Sequence, residues 1–170
     1  PLELLRAYEL GGGSTLSLDP GNYPLLESLE FSASAPTALG LDSGMTFRGA
    51  GQSLTTLNGT VTFGTDTAVD LNDADLTVLR DLRITGTATG LRIGGATNGA
   101  LVERVTVASP GLTGVRVNEA TSLTLRDVTV TGSGGAGFHF DSVNARNYGI
   151  TAQNLTATGN RSHGLLLNSF

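Results

Sequence analysis

Apolar and polar residues alternate in short stretches of this chain, and the stretches recur at a nearly constant interval. From residue 79 onward four of them align: LRDLRITG, VERVTVAS, LRDVTVTG and AQNLTATG. Alternation with a period of two predicts strands that bury one side chain and expose the next. In each stretch two apolar residues, at positions i and i+2, are expected to point inward. Counting back from these pairs toward the start of the chain predicts a series of pairs that stack on one another, the first column, at intervals of 21 to 27 residues. These pairs are Leu16/Leu18, Leu39/Leu41, Val61/Phe63, Leu82/Ile84, Val105/Val107, Val128/Val130 and Leu155/Ala157.

Two further columns run in parallel with the first. The second reads Gly-apolar-x-apolar in its later members, GLRI, GVRV, GFHF and GLLL. Its predicted inward pairs are Tyr23/Leu25, Met45/Phe47, Val69/Leu71, Leu91/Ile93, Val115/Val117, Phe138/Phe140 and Leu165/Leu167. The pairs of the third are Leu29/Phe31, Thr55/Leu57, Thr77/Leu79, Ala100/Val102, Leu123/Leu125 and Ile150/Ala152.

Three short strands per repeat, separated by turn residues, are typical of one turn of a parallel β-helix. The sequence therefore predicts an all-β fold, a right-handed single-stranded parallel β-helix (a solenoid) of about seven rungs. The alternative is an antiparallel β-sandwich, which also has short strands and frequent turns. A sandwich does not require the same inward pairs to recur at one step along the whole chain.

The prediction for domain organisation is a single β-helix domain over residues 1–170, with the rungs at 15–170. Residues 1–10, PLELLRAYEL, show helical spacing of apolar residues before three glycines, which predicts a short N-terminal capping helix. The chain ends on GLLLNSF, still inside the second column. Because an uncovered sheet edge is a template for association, we expect the native chain to continue past Phe170, or a further domain or an oligomer to cover this edge.

Composition narrows the classes of function. The chain of 170 residues has a formal charge of −5, 24 glycines and no cysteine. Acidic balance argues against a nucleic-acid partner, and no apolar run is long enough for membrane insertion. The absence of cysteine excludes disulfides and thiolate metal sites.

The outward residues of the second column supply the candidate chemistry. In order they are Pro24, Thr46, Asp70, Arg92, Arg116, His139 and Leu166. An arginine can neutralise a sugar carboxylate, and a histidine can transfer a proton near neutral pH. Asp70, Arg92, Arg116 and His139 are therefore the candidate catalytic residues. The alternative is a solvated ladder of charges with a surface ion pair between Asp70 and Arg92.

An insertion of about four residues lengthens the last repeat, in the segment DSVNARNYGI. Loops on rigid scaffolds often bind ligands, so we expect Asp141, Asn144, Arg146 and Tyr148 to contact a ligand, with Tyr148 stacking on a sugar ring. The alternative is a tolerated surface bulge.

The segment DLNDAD holds the densest acidic cluster of the chain. Asp70, Asp73 and Asp75 are candidate ligands for a cation, and two of them are a candidate acid/base pair. The alternative is a polar turn between two strands.

Threonines recur on the outer side of the first column. The positions are Thr60, Thr62, Thr129, Thr131, Thr156 and Thr158, with Thr85 and Thr106 between them. Regular Thr-x-Thr arrays on flat β-helix faces resemble ice-binding surfaces, although Arg83 interrupts this one. Threonine also favours strands whatever the function.

Two segments resemble a known family. LDPGNY (18–23) resembles the first-turn motif L-x-P-G-x-Y of the pectin-lyase-like right-handed parallel β-helix superfamily, and TFRGAGQSLTTLNG (46–59) is similar to that superfamily's second-rung motif. Members include polysaccharide lyases, glycoside hydrolases, epimerases and non-catalytic surface proteins. The resemblance implies a carbohydrate-related role in an extracellular or cell-envelope setting. In related lyases calcium, held by several carboxylates, shares the chemistry.

The expected function is an extracellular or envelope-associated β-helix module that binds carbohydrate or is structural, lacks a complete catalytic set and needs no cofactor. The alternative is a polysaccharide lyase or glycoside hydrolase that acts on an acidic polysaccharide through the four candidate catalytic residues. Calcium would be expected only if the chain is a lyase. An ice-binding threonine array is the third hypothesis.

Overall fold

The computed structural model describes residues 13–26, 28–31, 40–41, 43–59, 67–141 and 148–168. Within these ranges the regular structure consists of short strands, and no segment is helical. The strands are β1 (Thr15–Ser17), β2 (Gly21–Leu25), β3 (Leu29–Phe31), β4 (Gly40–Leu41), β5 (Thr46–Arg48), β6 (Thr55–Gly59), β7 (Thr67–Asn72), β8 (Val78–Thr85), β9 (Thr89–Gly94), β10 (Leu101–Ala108), β11 (Thr113–Asn118), β12 (Thr124–Arg126), β13 (Thr129–Thr131), β14 (Phe138–Asp141), β15 (Thr151–Gln153), β16 (Thr156–Thr158) and β17 (Leu165–Asn168). In the part of the chain that is described, no helix is long and apolar enough to cross a membrane.

Every strand pair is parallel, and the strands form two sheets. Sheet 1 has two neighbouring stacks, β1-β5-β8-β10-β12-β15 and β2-β6-β8-β10-β13-β16, which share the long strands β8 and β10. Sheet 2 has the order β17-β14-β11-β9-β7-β3-β4. The chain passes through both stacks of sheet 1 and then sheet 2 in each turn, which confirms the right-handed parallel β-helix. Six complete turns lie within the described residues, with β4 added to the edge of β3, where about seven rungs were predicted.

The predicted columns are confirmed in the later turns. Val107 pairs with Ile84 on one side and with Val130 on the other, as the first column requires. Val117 likewise lies between Ile93 and Phe140 in the second column.

The column assignment was wrong in the first two turns. Leu16 pairs with Phe47, which pairs with Leu79, so Leu16 and Phe47 belong to the third column. Tyr23 pairs with Leu57, which pairs with Ile84 in the first column. The second column begins instead with β3, which pairs with β7.

The reason for this error is the length of the early turns. Successive third-column positions are 31 and 32 residues apart in the first two turns and 23 in the next two. Counting back from the later turns at their constant interval of residues therefore assigns the early apolar pairs to the wrong strands. The predicted capping helix at 1–10, Leu39 and the pair Val61/Phe63 lie outside the described residues.

The inward side chains form a continuous aliphatic core. Leu79, Val102 and Leu125 from successive turns are fully buried, and so are their counterparts in the other columns. Phe31 on β3 and Phe47 on β5 pack edge to face with ring centroids 5.7 Å apart, so the first turn packs against the second inside the core. At the far end Leu165 and Leu167 point inward but remain 53% and 55% exposed. Coverage of that edge by a further domain or an oligomer stays a prediction.

The glycines that open three of the second-column segments, Gly90, Gly114 and Gly137, are required by close approach between turns. A Cβ on Gly90 would lie 2.9 Å from the carbonyl oxygen of Gly114, and one on Gly114 would lie 2.5 Å from that of Gly137. The Gly114 position would also overlap the side chain of Val130. The glycine of the Gly-apolar-x-apolar pattern is therefore explained by the close packing of one turn on the next.

We expect Gly114→Ala to lower the free energy of unfolding by about 1–3 kcal/mol, because the added methyl group overpacks the contact with the next turn. Urea denaturation followed by circular dichroism measures the change. Gly111→Ala is the matched control, since its Cβ would have no neighbour closer than 3.6 Å and a change within about 0.5 kcal/mol is expected. Equal effects of the two substitutions would contradict the stacking described here.

Candidate functional site

One row of outward side chains crosses sheet 2 from turn to turn. Register pairing places its members side by side on consecutive strands in the order Glu30, Asp70, Arg92, Arg116, His139 and Leu166. We call this set the charged row. The structure thus brings the four candidate catalytic residues into one line, as their spacing predicted, while their function stays a prediction.

The early members of the predicted row were wrong. Pro24 pairs with Asn58, and Thr46 pairs with Thr15 and Val78, so both lie on sheet 1. Glu30 on β3 occupies the position next to Asp70, and the sequence analysis missed it. The signal was present, because Leu29-Glu30-Phe31 and Val69-Asp70-Leu71 are both apolar-acidic-apolar triplets.

The ion pair between Asp70 and Arg92 is more buried than the one between Arg116 and Asp141. The Arg92 guanidinium donates to Asp70 Oδ2 at 2.9 Å, and Asp70 is only 9% exposed. Asp70 Oδ1 is buried and has no hydrogen-bond partner. Burial raises the pKa of Asp70; Arg92 opposes this effect and the charge of Glu30 adds to it.

At the other end of the row, Arg116 and His139 contact polar residues at the ends of β14 and β17. Arg116 donates to Asp141 Oδ2 at 3.2 Å, and the Asn168 amide nitrogen lies 2.9 Å from His139 Nε2. Burial lowers the pKa of His139; the nearby Asp141 carboxylate opposes this shift and Arg116 adds to it. The neutral imidazole is therefore favoured more than in an exposed histidine.

The geometry separates the row into two centres. Neighbouring strands lie about 4.8 Å apart, so Asp70 and His139, three strands apart, are separated by roughly 14 Å along the sheet. Proton transfer needs hydrogen-bond contact with the reacting atom. Asp70 and His139 therefore cannot act on the same bond. We call Glu30, Asp70 and Arg92 the acidic centre, and Arg116 and His139 with their partners the imidazole centre.

The predicted ligand-binding loop is described only at its two ends. Asp141 ends β14 and lies beside Arg116, while Tyr148 forms an isolated bridge with Thr121 and is 65% exposed. Asn144 and Arg146 lie outside the described residues. Tyr148 is accessible to a ligand, and the binding role of these residues stays a prediction.

The acidic segment after β7 is occupied by turn hydrogen bonds. The Asn72 amide donates to Asp73 Oδ2 at 3.3 Å, and the Asn98 backbone N–H donates to Asp75 Oδ1 at 2.8 Å. Asp70 is paired with Arg92. Among the residues that are described, no three His, Asp or Glu side chains are grouped as a metal site. This donor set does not fit calcium, and we derive no chemical step through a metal ion.

The threonine array covers part of sheet 1. Thr106, Thr129 and Thr156 pair in succession, and Thr131 pairs with Thr158 beside them. Arg83 occupies the same row as Thr106, and Ala108 the row of Thr131. Thr60 and Thr62 lie outside the described residues. The ice-binding hypothesis stays a prediction, and the array is short and interrupted.

The comparisons with solved structures agree with the fold. The chain is similar to the catalytic domain of a GH87 alpha-1,3-glucanase in complex with nigerose, with a TM-score of 0.65 and 13% identity over 91% of this chain and 27% of that one. It is also similar to the A-module of the mannuronan C-5 epimerase AlgE4 of Azotobacter vinelandii, with a TM-score of 0.57 and 18% identity over 91% of this chain and 50% of that one. A third structure, described as a putative glycosyl hydrolase from Parabacteroides merdae, has a TM-score of 0.54 and 13% identity over 89% of this chain and 81% of that one.

These likenesses show that the chain shares the parallel β-helix fold. It spans about a quarter to a half of the length of the glucanase and epimerase structures. The sequence matches no protein-family model and no curated protein. At these identities the comparison shows the fold alone.

The lowered pKa of His139 has a consequence for stability. The folded state binds this proton less readily than the unfolded chain does, so stability rises with pH in the window between the lowered pKa and the ordinary histidine value of 6.5. We expect the thermal midpoint to rise between about pH 5 and pH 7, and His139→Gln to reduce that rise. His163→Gln is the control that leaves His139 in place. An unchanged rise in His139→Gln would contradict the assignment.

Proposed function

We propose that this chain is an extracellular or cell-envelope β-helix module that binds an acidic polysaccharide along the charged row of sheet 2. The observation that carries the proposal is the pairing of Arg92 with Arg116 as direct neighbours on β9 and β11. Like charges directly opposite each other destabilise a sheet. An anionic ligand that lies across both guanidiniums would offset that cost.

The rest of the molecule shows what an ordinary arrangement of charges in this fold is. On sheet 1, Arg48 and Arg80 are neighbours in register, and Glu103 follows between Arg80 and Arg126. Arg104 likewise makes a two-bond contact with Asp81, at 2.6 and 3.1 Å. Adjacent arginines therefore occur on both sheets. The pair on sheet 2 differs because Arg116 is also the neighbour of His139, in the row that carries the candidate chemistry.

Both arginines are available to a ligand. Their side chains are 39% and 46% exposed, and each guanidinium carries five N–H donors. The ion pair of Arg92 with Asp70 is made through Nη1, and that of Arg116 with Asp141 through Nη2. Arginine binds carboxylates in a two-bond geometry that lysine cannot match.

A polymer fits this surface better than a small anion does. The row is an open line that advances by about 4.8 Å per turn, so repeated anionic groups along a chain can meet successive turns. Tyr148 is exposed and bridges Thr121 in the connection that leads from sheet 2 to sheet 1, and its ring can stack on a sugar. The solved structures with this fold described above include a glucanase bound to nigerose and a mannuronan epimerase. Such a ligand is encountered outside the cell, which supports the proposed location.

We expect Arg116→Gln to weaken binding of a soluble polyuronate by about 10-fold or more, because a charge-assisted hydrogen bond contributes about 1.5–3 kcal/mol. Isothermal titration with polygalacturonate and with alginate measures the affinity. Arg83→Gln is the matched control, because it removes the same charge from the outer face of sheet 1. A neutral glucan should show no dependence on Arg116.

Equal losses in Arg116→Gln and Arg83→Gln would mean that net charge alone is responsible, and the proposed binding face would be wrong. Affinity for the neutral glucan that matches the affinity for polyuronate would contradict the preference for an acidic polymer.

A second candidate function is favoured by the imidazole centre. Arg116 can neutralise the carboxylate of a uronate, which makes the adjacent carbon more acidic, and the neutral His139 beside it can accept that proton. A carbon–carbon double bond then forms, the bond from the next carbon to the bridging oxygen breaks, and that oxygen takes a proton from water. The chain would in that case be a polysaccharide lyase.

If the lyase function is present, the wild type will release unsaturated uronide from polygalacturonate or alginate, detected by its ultraviolet absorbance. His139→Ala should then reduce the rate by about 100-fold or more, because it removes the base. Assays with and without added calcium test the dependence that related lyases imply. Binding without turnover would leave the module as proposed and exclude the lyase.

A further inference from the structure

Sheet 1 carries a second pair of adjacent arginines, which the binding proposal does not use. Arg48 on β5 and Arg80 on β8 are register partners, so their side chains leave neighbouring strands about 4.8 Å apart. An anion that contacts both would offset the repulsion between like charges on neighbouring strands. The row to which they belong, which we call the sheet 1 row, contains Ser17, Arg48, Arg80, Glu103, Arg126 and Gln153 in successive turns.

The carboxylates beside this pair are already engaged by other arginines. Both oxygens of Asp81 accept hydrogen bonds from Arg104, at 2.6 and 3.1 Å. Glu103 is held by Arg126 through Oε1 and by Arg104 through Oε2. Arg80 Nε lies 3.8 Å from Asp81 Oδ2, beyond hydrogen-bond distance. These two acids therefore leave the Arg80 guanidinium with hydrogen-bonding capacity for an acceptor from outside the chain.

The surroundings of Asp81 show a local excess of positive charge. The hydrogen bond from Arg104 lowers the pKa of Asp81 below its usual range, and the charges of Arg80 and Arg48 lower it further. Three guanidiniums therefore act on this one carboxylate, in a chain whose formal charge is −5. Such a local excess attracts anionic groups.

The two guanidiniums are accessible. Arg48 is exposed, and the Arg80 side chain is 33% exposed. Arg80 Nε is buried, so contact with a ligand falls to the terminal nitrogens of that guanidinium. Arginine binds carboxylates through parallel hydrogen bonds, and two such groups side by side fit the carboxylates of a uronate polymer that follows the row.

A loop borders the pair on one side. Residues 49–54 connect β5 to β6, a bend that the next turns make with one left-handed residue. The Gly49 backbone N–H donates to the carbonyl oxygen of Arg80 at 3.0 Å, which fixes the start of the loop. The Gln52 side-chain nitrogen lies 3.5 Å from the carbonyl oxygen of Asp127, three turns further along. The loop therefore lies along the corner beside the sheet 1 row and forms a wall next to the arginine pair.

The two arginine pairs of the molecule lie on different faces of the coil. The inward side chains of both sheets share one core, so the outward rows of sheet 1 and sheet 2 point in different directions. Each row runs in the direction in which the turns stack. A polymer that follows one row therefore does not meet the other.

We propose that the sheet 1 row is a second binding site for the carboxylates of an acidic polysaccharide, contacted by Arg48 and Arg80, and that one copy of the chain thereby cross-links two polymer chains. The class of ligand rests on the proposed function, whereas the second site and the cross-linking go beyond it. Three observations carry the inference: the adjacent guanidiniums, the neighbouring acids that other arginines occupy, and the loop that borders the pair.

The first test locates the ligand contacts on both faces. Nitrogen-15 nuclear magnetic resonance follows the arginine Nε–H signals of the wild type during titration with a short galacturonate oligomer, and single Arg→Gln substitutions assign the signals. We expect the signals of Arg48 and Arg80 to shift. Those of Arg92 and Arg116 shift too if the proposed function is right. Arg83 lies outside both rows, so its signal is the internal control and should stay in place.

The possible results separate this inference from the proposed function. Shifts confined to Arg92 and Arg116 would overturn the second site and leave the proposed function intact. Shifts confined to Arg48 and Arg80 would overturn the proposed binding face, and the cross-linking with it. No shift at any of the four would overturn both.

The second test measures cross-linking by light scattering of long polygalacturonate mixed with the protein in the absence of calcium. We expect the wild type to raise the scattered intensity at intermediate ratios of protein to polymer, and the intensity to fall again in excess protein. Arg48→Gln should weaken the second site by about 10-fold, because it removes a charge-assisted contact, and should lower the scattering accordingly. Arg83→Gln removes the same charge from another row of sheet 1 and should scatter as the wild type does.

Two measurements without polymer keep this test decisive. Circular dichroism shows that each variant is folded, and analytical ultracentrifugation shows that Arg48→Gln has the oligomeric state of the wild type. Scattering that persists in Arg48→Gln, or that falls equally in Arg83→Gln, would overturn the cross-linking role of the sheet 1 row.

Discussion

The structure depends on one constraint, the hydrogen-bond ladder between parallel strands of successive turns. One turn of this chain cannot bury its own inner face, so its aliphatic residues are covered only when the backbone pairs with the turns on either side. That pairing sets a step of about 4.8 Å and places equivalent residues directly above one another. The glycine column of sheet 2 follows from the same requirement, because a side chain at Gly114 would enter the next turn.

Because the same ladder places equivalent residues of successive turns side by side, the charges on neighbouring strands interact directly. On sheet 1, Glu103 lies between Arg80 and Arg126 with its side chain 5% exposed, while Arg48 and Arg80 are neighbours of like charge. On sheet 2, acid follows acid and arginine follows arginine along the charged row. Local rules of stability are broken most often where a protein has a function. Adjacent arginines occur on both sheets, as Arg48 and Arg80 on sheet 1 and as Arg92 and Arg116 on sheet 2, and only the sheet 2 pair lies in the row that carries the candidate site.

The parts of the fold that sequence could predict are those with a constant repeat. From Leu79 onward the turns keep a nearly uniform length, so the inward columns and the line from Asp70 to His139 were correct. The first two turns contain longer connections, whose length leaves no trace in the alternation of the strands themselves. A column extended upstream at the later step therefore placed Thr46 in the row and missed Glu30. The buried, unpartnered oxygen of Asp70 was out of reach as well, since it arises from how closely neighbouring turns pack.

The separation of the two centres limits what this face can do. Each turn contributes one outward residue to the row, so groups that must meet at one bond have to come from adjacent strands or from the connecting turns. Glu30 and Asp70 satisfy that condition, and so do Arg116 and His139. A mechanism that combines Asp70 with His139 does not, because Arg92 and Arg116 lie between them. The two arginines therefore serve best as the binding element, and the proton transfer of a lyase function belongs at the His139 end of the row, which a polymer long enough to cross both arginines would reach.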